Sequence, residues 1–163
     1  MPRSHEHSRT DSDRIRGVPA TRHGFSLIEL VIVLVIVSVV GAIAGPRFAT
    51  AAAQNRARAA ADRVAADLEL AQARARASSA DVSVSFNVAT ESYKIGTGSE
   101  ATTVDLSRPP YSTQIDQAVF TGGSAVRFNA FGVPDSSGSI LISGGGLSFD
   151  ISVAAETGEV TVQ

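Results

Sequence analysis

The stretch RHGFSLIELVIVLVIVSVVGAIAGPRF, residues 22–48, decides the architecture of this chain. Between Phe25 and Gly45 lie 21 residues with one charge, Glu29, and two hydroxyls, Ser26 and Ser38. About 20 apolar residues in a helix cross a bilayer. Many of these are Val and Ile, mediocre helix formers in water. In lipid an unpaired backbone amide costs far more than a stiff side chain, so a helix is the expected form, and Gly41 and Gly45 are tolerated in it. Pro46 has no N–H to donate and is expected to kink or loosen the helix around Gly41–Gly45. Glu29 is the anomaly: a segment that only had to be apolar would not carry an acid near its polar edge.

The flanking charges orient this segment. Residues 1–24 hold five Arg against three acids, a net of +2. Residues 47–80 hold six Arg against Asp62, Asp67 and Glu69, a net of +3, and residues 81–163 hold three bases against nine acids, a net of −6. Positive charge before an apolar span keeps that side in the cytoplasm, so the acidic C-terminal body is expected outside. The whole chain, 163 residues with net charge −2, has room for one modest domain plus an anchor or tail. It has no Cys, which removes disulfides, thiolate nucleophiles and thiolate metal sites, and its His residues, His5, His7 and His23, all precede the apolar run.

Three readings of the run compete. One is a simple signal anchor. Another is a cleaved secretory signal, for which Ala42-Ile43-Ala44 supplies a small-x-small pattern. The apolar stretch is longer than the usual ~7–15 residues of such a signal, and an acid inside it fits poorly. The third reading gives Glu29 and the Gly24–Phe25 junction a role.

GFSLIELVIVLVIVSVV resembles the type IV prepilin signal, the G-F-[ST]-L-I-E pattern of pilins and of type II secretion pseudopilins. Gly24, Phe25, Ser26, Leu27, Ile28 and Glu29 match without a gap, and the likeness continues to Pro46 and the PRF that ends the run. The resemblance implies that a prepilin peptidase cuts after Gly24 and methylates the new amino group of Phe25. Glu29 then becomes the fifth residue of the mature chain and pairs with the N-terminal amine of a neighbouring subunit. An acid in a membrane helix costs about 2.5–3.5 kcal/mol on insertion scales. A partner of opposite sign offsets much of that, so Glu29 is tolerable in lipid and favourable in an assembly. The 24-residue leader is longer than those of many type IVa pilins, and it carries Arg22 and His23 beside the cut site.

Beyond Pro46 the sequence QNRARAAADRVAADLELAQARARASS, residues 54–79, has no Gly or Pro and is rich in Ala, the best helix former. Ala57, Ala60, Ala61, Val64, Leu68, Ala71 and Ala75 recur at spacings of three and four and define one narrow apolar face. Arg56, Arg63, Asp67, Arg74 and Arg76 are expected mainly away from it, and Arg58–Asp62 and Arg63–Asp67 stand four apart in the less favourable order. Six Arg would also suit nucleic acid or anionic lipid. Interleaved acids and the lack of an aromatic platform favour a solvated helix face, so no nucleic-acid partner is expected.

From Asp81 the period changes to two. Val82, Val84, Phe86 and Val88 alternate with polar residues, and SYKI follows, so residues 82–95 read as a hairpin. TGSEATT is expected to be a loop and TVDL, 103–106, a short strand, while the paired prolines of SRPPYS break regular structure. AVRFNAFGVP, 125–134, gives a strand and a turn. GSILIS, 138–143, LSFDISVA and a last hairpin through ETGEVTVQ complete six to eight short strands, with Gly158 suited to a positive φ. Gly144–Gly146 reads as a flexible loop between strands, since no Lys-Ser/Thr follows to make a phosphate site. The stem followed directly by an alternating strand, the F-x-x-x-G turn in VRFNAFGVPDSSGSILI and the terminal TGEV hairpin resemble the H-type minor pseudopilins and the FimT-like minor pilins.

The expected fold is α+β: a long N-terminal helix, half membrane-spanning and half amphipathic, packed on a C-terminal antiparallel β head in the pilin manner. Residues 1–24 form a cleaved cytoplasmic leader, 25–46 the transmembrane and filament-core helix, 47–80 the stem and 81–163 the head. Without His or Cys in the mature chain an enzyme is not expected. Asp135 and Asp150 have no sequence reason to meet, and neither metal nor cofactor is expected. The resemblance implies a minor pseudopilin or minor type IV pilin, held in the inner membrane by one span with its head in the periplasm until it enters a filament. Its partners are prepilin peptidase, other pilins through the N-terminal helix, and the membrane. The alternative is a signal-anchored or secreted β-domain binding module that acts without polymerising.

Overall fold

The structure, a computed structural model, describes residues 24–96, 98 and 101–163. The leader with His5, His7, His23 and Arg22, and Thr97, Ser99 and Glu100 of the expected TGSEATT loop, lie outside the described residues. The chain falls into two compact units, one up to Val39 and one from Val40 to Gln163.

In the first unit Gly24–Ser26 have no regular structure and helix α1 (Leu27–Ser78) begins. The Ile28 N–H donates to Ser26 Oγ at 3.2 Å, and the Leu30 N–H donates to the Ser26 carbonyl at 3.1 Å. Ser26 is therefore the N-cap, and it satisfies one amide that the first turn leaves without an intrahelical acceptor. Every side chain of this unit from Phe25 onward is exposed, including Leu27, Ile32 and Ile36.

In the second unit α1 continues through Pro46 to Ser78. Behind it come β1 (Val82–Asn87), a 3₁₀ turn (Val88–Thr90), β2 (Ser92–Ile95), β3 (Thr102–Asp105), β4 (Gln114–Phe120), β5 (Ala125–Phe128), β6 (Gly138–Gly144), β7 (Leu147–Val153) and β8 (Val160–Val162). They form two four-stranded antiparallel sheets, ordered β3-β2-β1-β5 and β4-β6-β7-β8. Period-two alternation sends Val84, Phe86, Tyr93, Ile95, Val126 and Phe128 of the first sheet inward, and Ile140, Ile142, Ile151 and Val153 of the second, where Ile115 and Phe120 of β4 are also buried. Both inner faces join Ala60, Ala61, Val64, Leu68, Ala71 and Ala75 of α1 in one core. All seven stem residues expected on the apolar face, Ala57 included, are fully buried.

Three local expectations change. Asp67, expected mainly away from the apolar face, is 4% exposed. Its neighbours at −3 and +4, Val64 and Ala71, are both on the buried face, and geometry outranks the preference of a carboxylate for water once it has partners. Strand β4 lies in QIDQAVF, which the sequence reading passed over. Its buried residues are Ile115, Ala118 and Phe120, because a bulge between Ile115 and Gln117 breaks the alternation. Gly144–Gly146, expected to be a flexible loop, is instead a tight turn. Gly144 pairs with Leu147, which leaves Gly145 and Gly146 as a two-residue hairpin turn with φ of 61° and 79°.

Candidate functional site

Two sets of residues position what this molecule can do: the start of α1, and the ties that hold the stem to the head. At the start of α1, Glu29 lies in the first turn, three residues after the Ser26 cap. The spacing Ser26-x-x-Glu29 is that of a capping box, and an acid in the first turn also meets the positive end of the helix dipole. Glu29 thus has a local role available in addition to the intersubunit one that the sequence resemblance implies. Gly24 and Phe25 stand just outside the helix, with Phe25 86% exposed. An uncovered segment without regular structure is a form in which a peptidase can take a chain.

From Phe25 to Gly45 no side chain is covered. This part of α1 is the one helix among the described residues that is long and apolar enough to cross a membrane. Pro46 lies inside α1 and has no N–H to donate to the Ala42 carbonyl. One turn later the Thr50 hydroxyl donates to the Pro46 carbonyl at 3.1 Å.

The stem meets the head at three places. Nearest Pro46, the β6–β7 turn closes on α1: Gln54 Nε2 donates to the Gly145 carbonyl at 3.0 Å. A Cβ added at Gly145 would stand 2.7 Å from the Thr50 carbonyl oxygen, and one at Gly144 would stand 3.0 Å from Ala57 Cβ. At Gly145 glycine is required by its positive φ as well as by close approach, while at Gly144 only the close approach applies.

In the middle of the stem, Asp67 accepts two hydrogen bonds, from the Tyr93 hydroxyl at 2.6 Å and from Arg63 Nε at 2.8 Å. Tyr93 is buried, between Phe86 at 5.5 Å and the stem. Its burial, and then its hydrogen bond to Asp67, push the phenol well above the usual tyrosine range. The hydrogen bond to Asp67 likewise raises the Arg63 guanidinium. Arg63–Asp67 is the ion pair that the four-residue spacing suggested, whereas Arg58 instead sits 5.9 Å from the centroid of the Phe149 ring.

At the far end, Gln72 Nε2 donates to the carbonyls of Gly132 and Thr157, both at 2.8 Å, and Arg76 Nε donates to the Phe131 carbonyl at 3.1 Å. Two loops are tied to one helix end. Asn129 Oδ1 accepts from the N–H groups of Phe131 and Val133, which completes the turn at Gly132, φ 75°. Sequence reasoning missed Gln54, Gln72 and Arg76 because their partners are backbone carbonyls, which have no residue signature. Tyr93 was visible only as a strand residue of the 82–95 hairpin.

No catalytic constellation emerges from the described residues. Asp135 Oδ1 accepts from the Arg127 N–H, and the backbone of Asp150 pairs with that of Gln163. A shallow groove of about 420 Å³ beside β5 is lined by Ser83, Thr121, Arg127 and Asp135 and brings no nucleophile to a base. No group of three or more His, Cys, Asp or Glu converges among the described residues to hold a metal.

Comparison with known proteins supplies the context for this geometry. Residues 20–45 match the prokaryotic N-terminal methylation motif, and residues 60–158 match the family described as type II transport protein GspH. No curated protein matches the chain. Among solved structures, the chain is similar to the type IV minor pilin FimU of Pseudomonas aeruginosa in two crystal forms. One is 15% identical over 68% of this chain and 90% of FimU, the other 14% identical over 65% and 91%, each with a TM-score of 0.49. The family match spans most of the stem and head, and the motif spans the cap and the whole apolar run to Gly45. With one apolar helix ahead of a stem-bound β head, the chain belongs to the GspH family of type II transport proteins and is a minor pseudopilin or pilin, a structural subunit.

Proposed function

We propose that this subunit is made with residues 1–24 as a cytoplasmic leader, is held in the inner membrane by residues 25–46, and carries its head, residues 81–163, on the periplasmic side. A prepilin peptidase cuts after Gly24 and methylates the amine of Phe25. Filament entry then moves the apolar helix from lipid into a bundle of like helices, where Glu29 meets the Phe25 amine of a neighbour. Pro46 removes one backbone bond from α1 and loosens it around Gly41–Gly45, which eases that transfer. The observation that carries this reading is the continuous exposed apolar surface from Phe25 to Gly45, headed by a capped acid and matched by the methylation motif. An apolar surface of that extent requires lipid or protein to cover it.

Intact-mass measurement of membrane-extracted protein tests the reading. The expected mass lacks residues 1–24 and gains one methyl group, and an N-terminus at Met1 or Gly45 would overturn it. The capping-box spacing favours a second role for Glu29, as a local cap. Glu29→Gln separates the two, because an amide still accepts a hydrogen bond but cannot neutralise an ammonium. Pairing between subunits requires Glu29→Gln to be processed normally and to be lost from filaments as severely as Glu29→Ala. Normal incorporation of the Gln variant would leave only the cap.

A further inference from the structure

The stem uses one face of α1 to hold the head, and its opposite face has a pattern of its own. Ala59, Ala66, Leu70, Ala73 and Ala77 are all exposed and recur at steps of seven, four, three and four, which places them in one stripe along the helix. The stripe lies across the helix from Ala57, Val64, Leu68 and Ala75, which face the head. On one flank stand Arg56, Arg63 and Arg74, at steps of seven and eleven. On the other stand Asp62 and Glu69, one heptad apart. Arg56, Arg74, Asp62 and Glu69 make no ion pair among the described residues. Of the other stem arginines, Arg58 and Arg76, on the acidic side, are engaged with the head, one over the Phe149 ring and one on the Phe131 carbonyl. They are turned from the stripe and leave the acidic flank to Asp62 and Glu69.

We propose that this face is a seam for the stem of a second copy of this chain, packed in parallel. Charge complementarity selects both the occupant and its direction. When two like helices pack side by side in parallel, opposite flanks meet, as they do across a parallel coiled coil. The basic row of each stem then faces the acidic row of the other, on both sides of the seam. In an antiparallel pair like flanks meet, placing Arg beside Arg and acid beside acid, which is repulsive. A second copy meets the requirement because one chain carries both rows. Small Ala side chains let the two backbones approach closely, and Leu70 supplies the one larger contact. The heads do not obstruct the pairing, since each lies on the far side of its own stem. Ala-based contacts are weak in water, so the seam depends on the membrane or filament to hold two copies at high effective concentration. This rests on the membrane-held subunit proposed above.

Single cysteines test the seam in full-length protein in its own membranes, and the chain has no native Cys to confuse the result. Ala66→Cys is small for small at an exposed helix site, so it is expected to fold. Under mild oxidation it should give a disulfide product of twice the chain mass, while Ala154→Cys on the head gives none. Ala59→Cys and Ala73→Cys should each link to themselves. A stronger link between Ala59→Cys and Ala73→Cys copies mixed together would show antiparallel pairing and overturn the proposal. Combining Asp62→Arg and Glu69→Arg with Ala66→Cys should lower the disulfide yield several-fold, and adding Arg56→Glu and Arg74→Glu should restore it. No link at Ala66, or a link to a different protein, overturns the seam. If Val39→Cys in the apolar run still links and the leader is still removed, the seam fails alone. If the protein is absent from membranes, the anchor reading fails and the seam with it.

Discussion

Asp67 is a carboxylate on the buried side of a helix whose other buried positions are Ala, Val and Leu. Its partners explain its place: Tyr93 ties it to the first sheet, and Arg63 neutralises it from the solvent edge. Asp67→Ala leaves the Tyr93 hydroxyl buried without an acceptor, so a loss of about 2 kcal/mol is expected in denaturant unfolding. Tyr93→Phe leaves Asp67 with Arg63 and should cost about 1 kcal/mol. The double variant should cost less than the sum, because the two groups share one bond. A pH dependence follows from Tyr93. Its phenol is raised in the folded state, so its contribution is complete below the ordinary tyrosine value of about 10. As pH rises above that value the unfolded chain loses this proton before the folded one does, and stability falls. Tyr93→Phe should flatten the alkaline limb, and an unchanged limb would refute the assignment. Spacing alone would have found Asp67, but a charged residue type argues for solvent until its partner is known. That partner lies 26 residues away, beyond any local pattern.

At the scale of elements, regular patterns were legible and irregular ones were not. The stem face, the β1–β2 hairpin, β6, β7 and the final hairpin follow simple periods of 3.6 and 2. Strand β4 did not, because a single extra residue moves Ala118 to the phase that alternation reserves for solvent. The triple glycine misled for a different reason. Its composition is that of a flexible linker, while its actual cause is the closeness of the α1 backbone, a tertiary fact. Gly145→Ala therefore carries two penalties, a left-handed φ and a clash with the Thr50 carbonyl. Thermal unfolding should show a loss of more than about 1 kcal/mol. Gly146→Ala has the same sign of φ but open space around it, so it should cost less. Equal losses would mean that φ alone governs the turn.

At the scale of the molecule, membrane chemistry and head stability reside in different stretches of one helix. Core residues begin at Ala57, well beyond the apolar run. A chain beginning at Arg47 should remain in solution and melt cooperatively, with a Tm within a few degrees of the full-length protein in detergent. A markedly lower Tm would show that the apolar half of α1 also supports the head. The broad plan was legible because a bilayer and a β core impose different periods and compositions on a sequence. The candidate site divides along the same line. Gly24, Phe25 and Glu29 form a contiguous motif, whereas the ties at Gln54, Asp67, Gln72 and Arg76 join residues between 26 and 91 positions apart.

Those ties also have a mechanical meaning. They lie in a row along the stem, and the head grips the helix sideways at each of them. A pull along the stem would act on the grips in shear, so that they resist together. Hydrogen bonds arranged in this way yield as a group, whereas bonds opened like a zipper fail singly. In the filament entry proposed above, where the helix is drawn out of a bilayer with the head kept intact, the sideways arrangement is the stronger one.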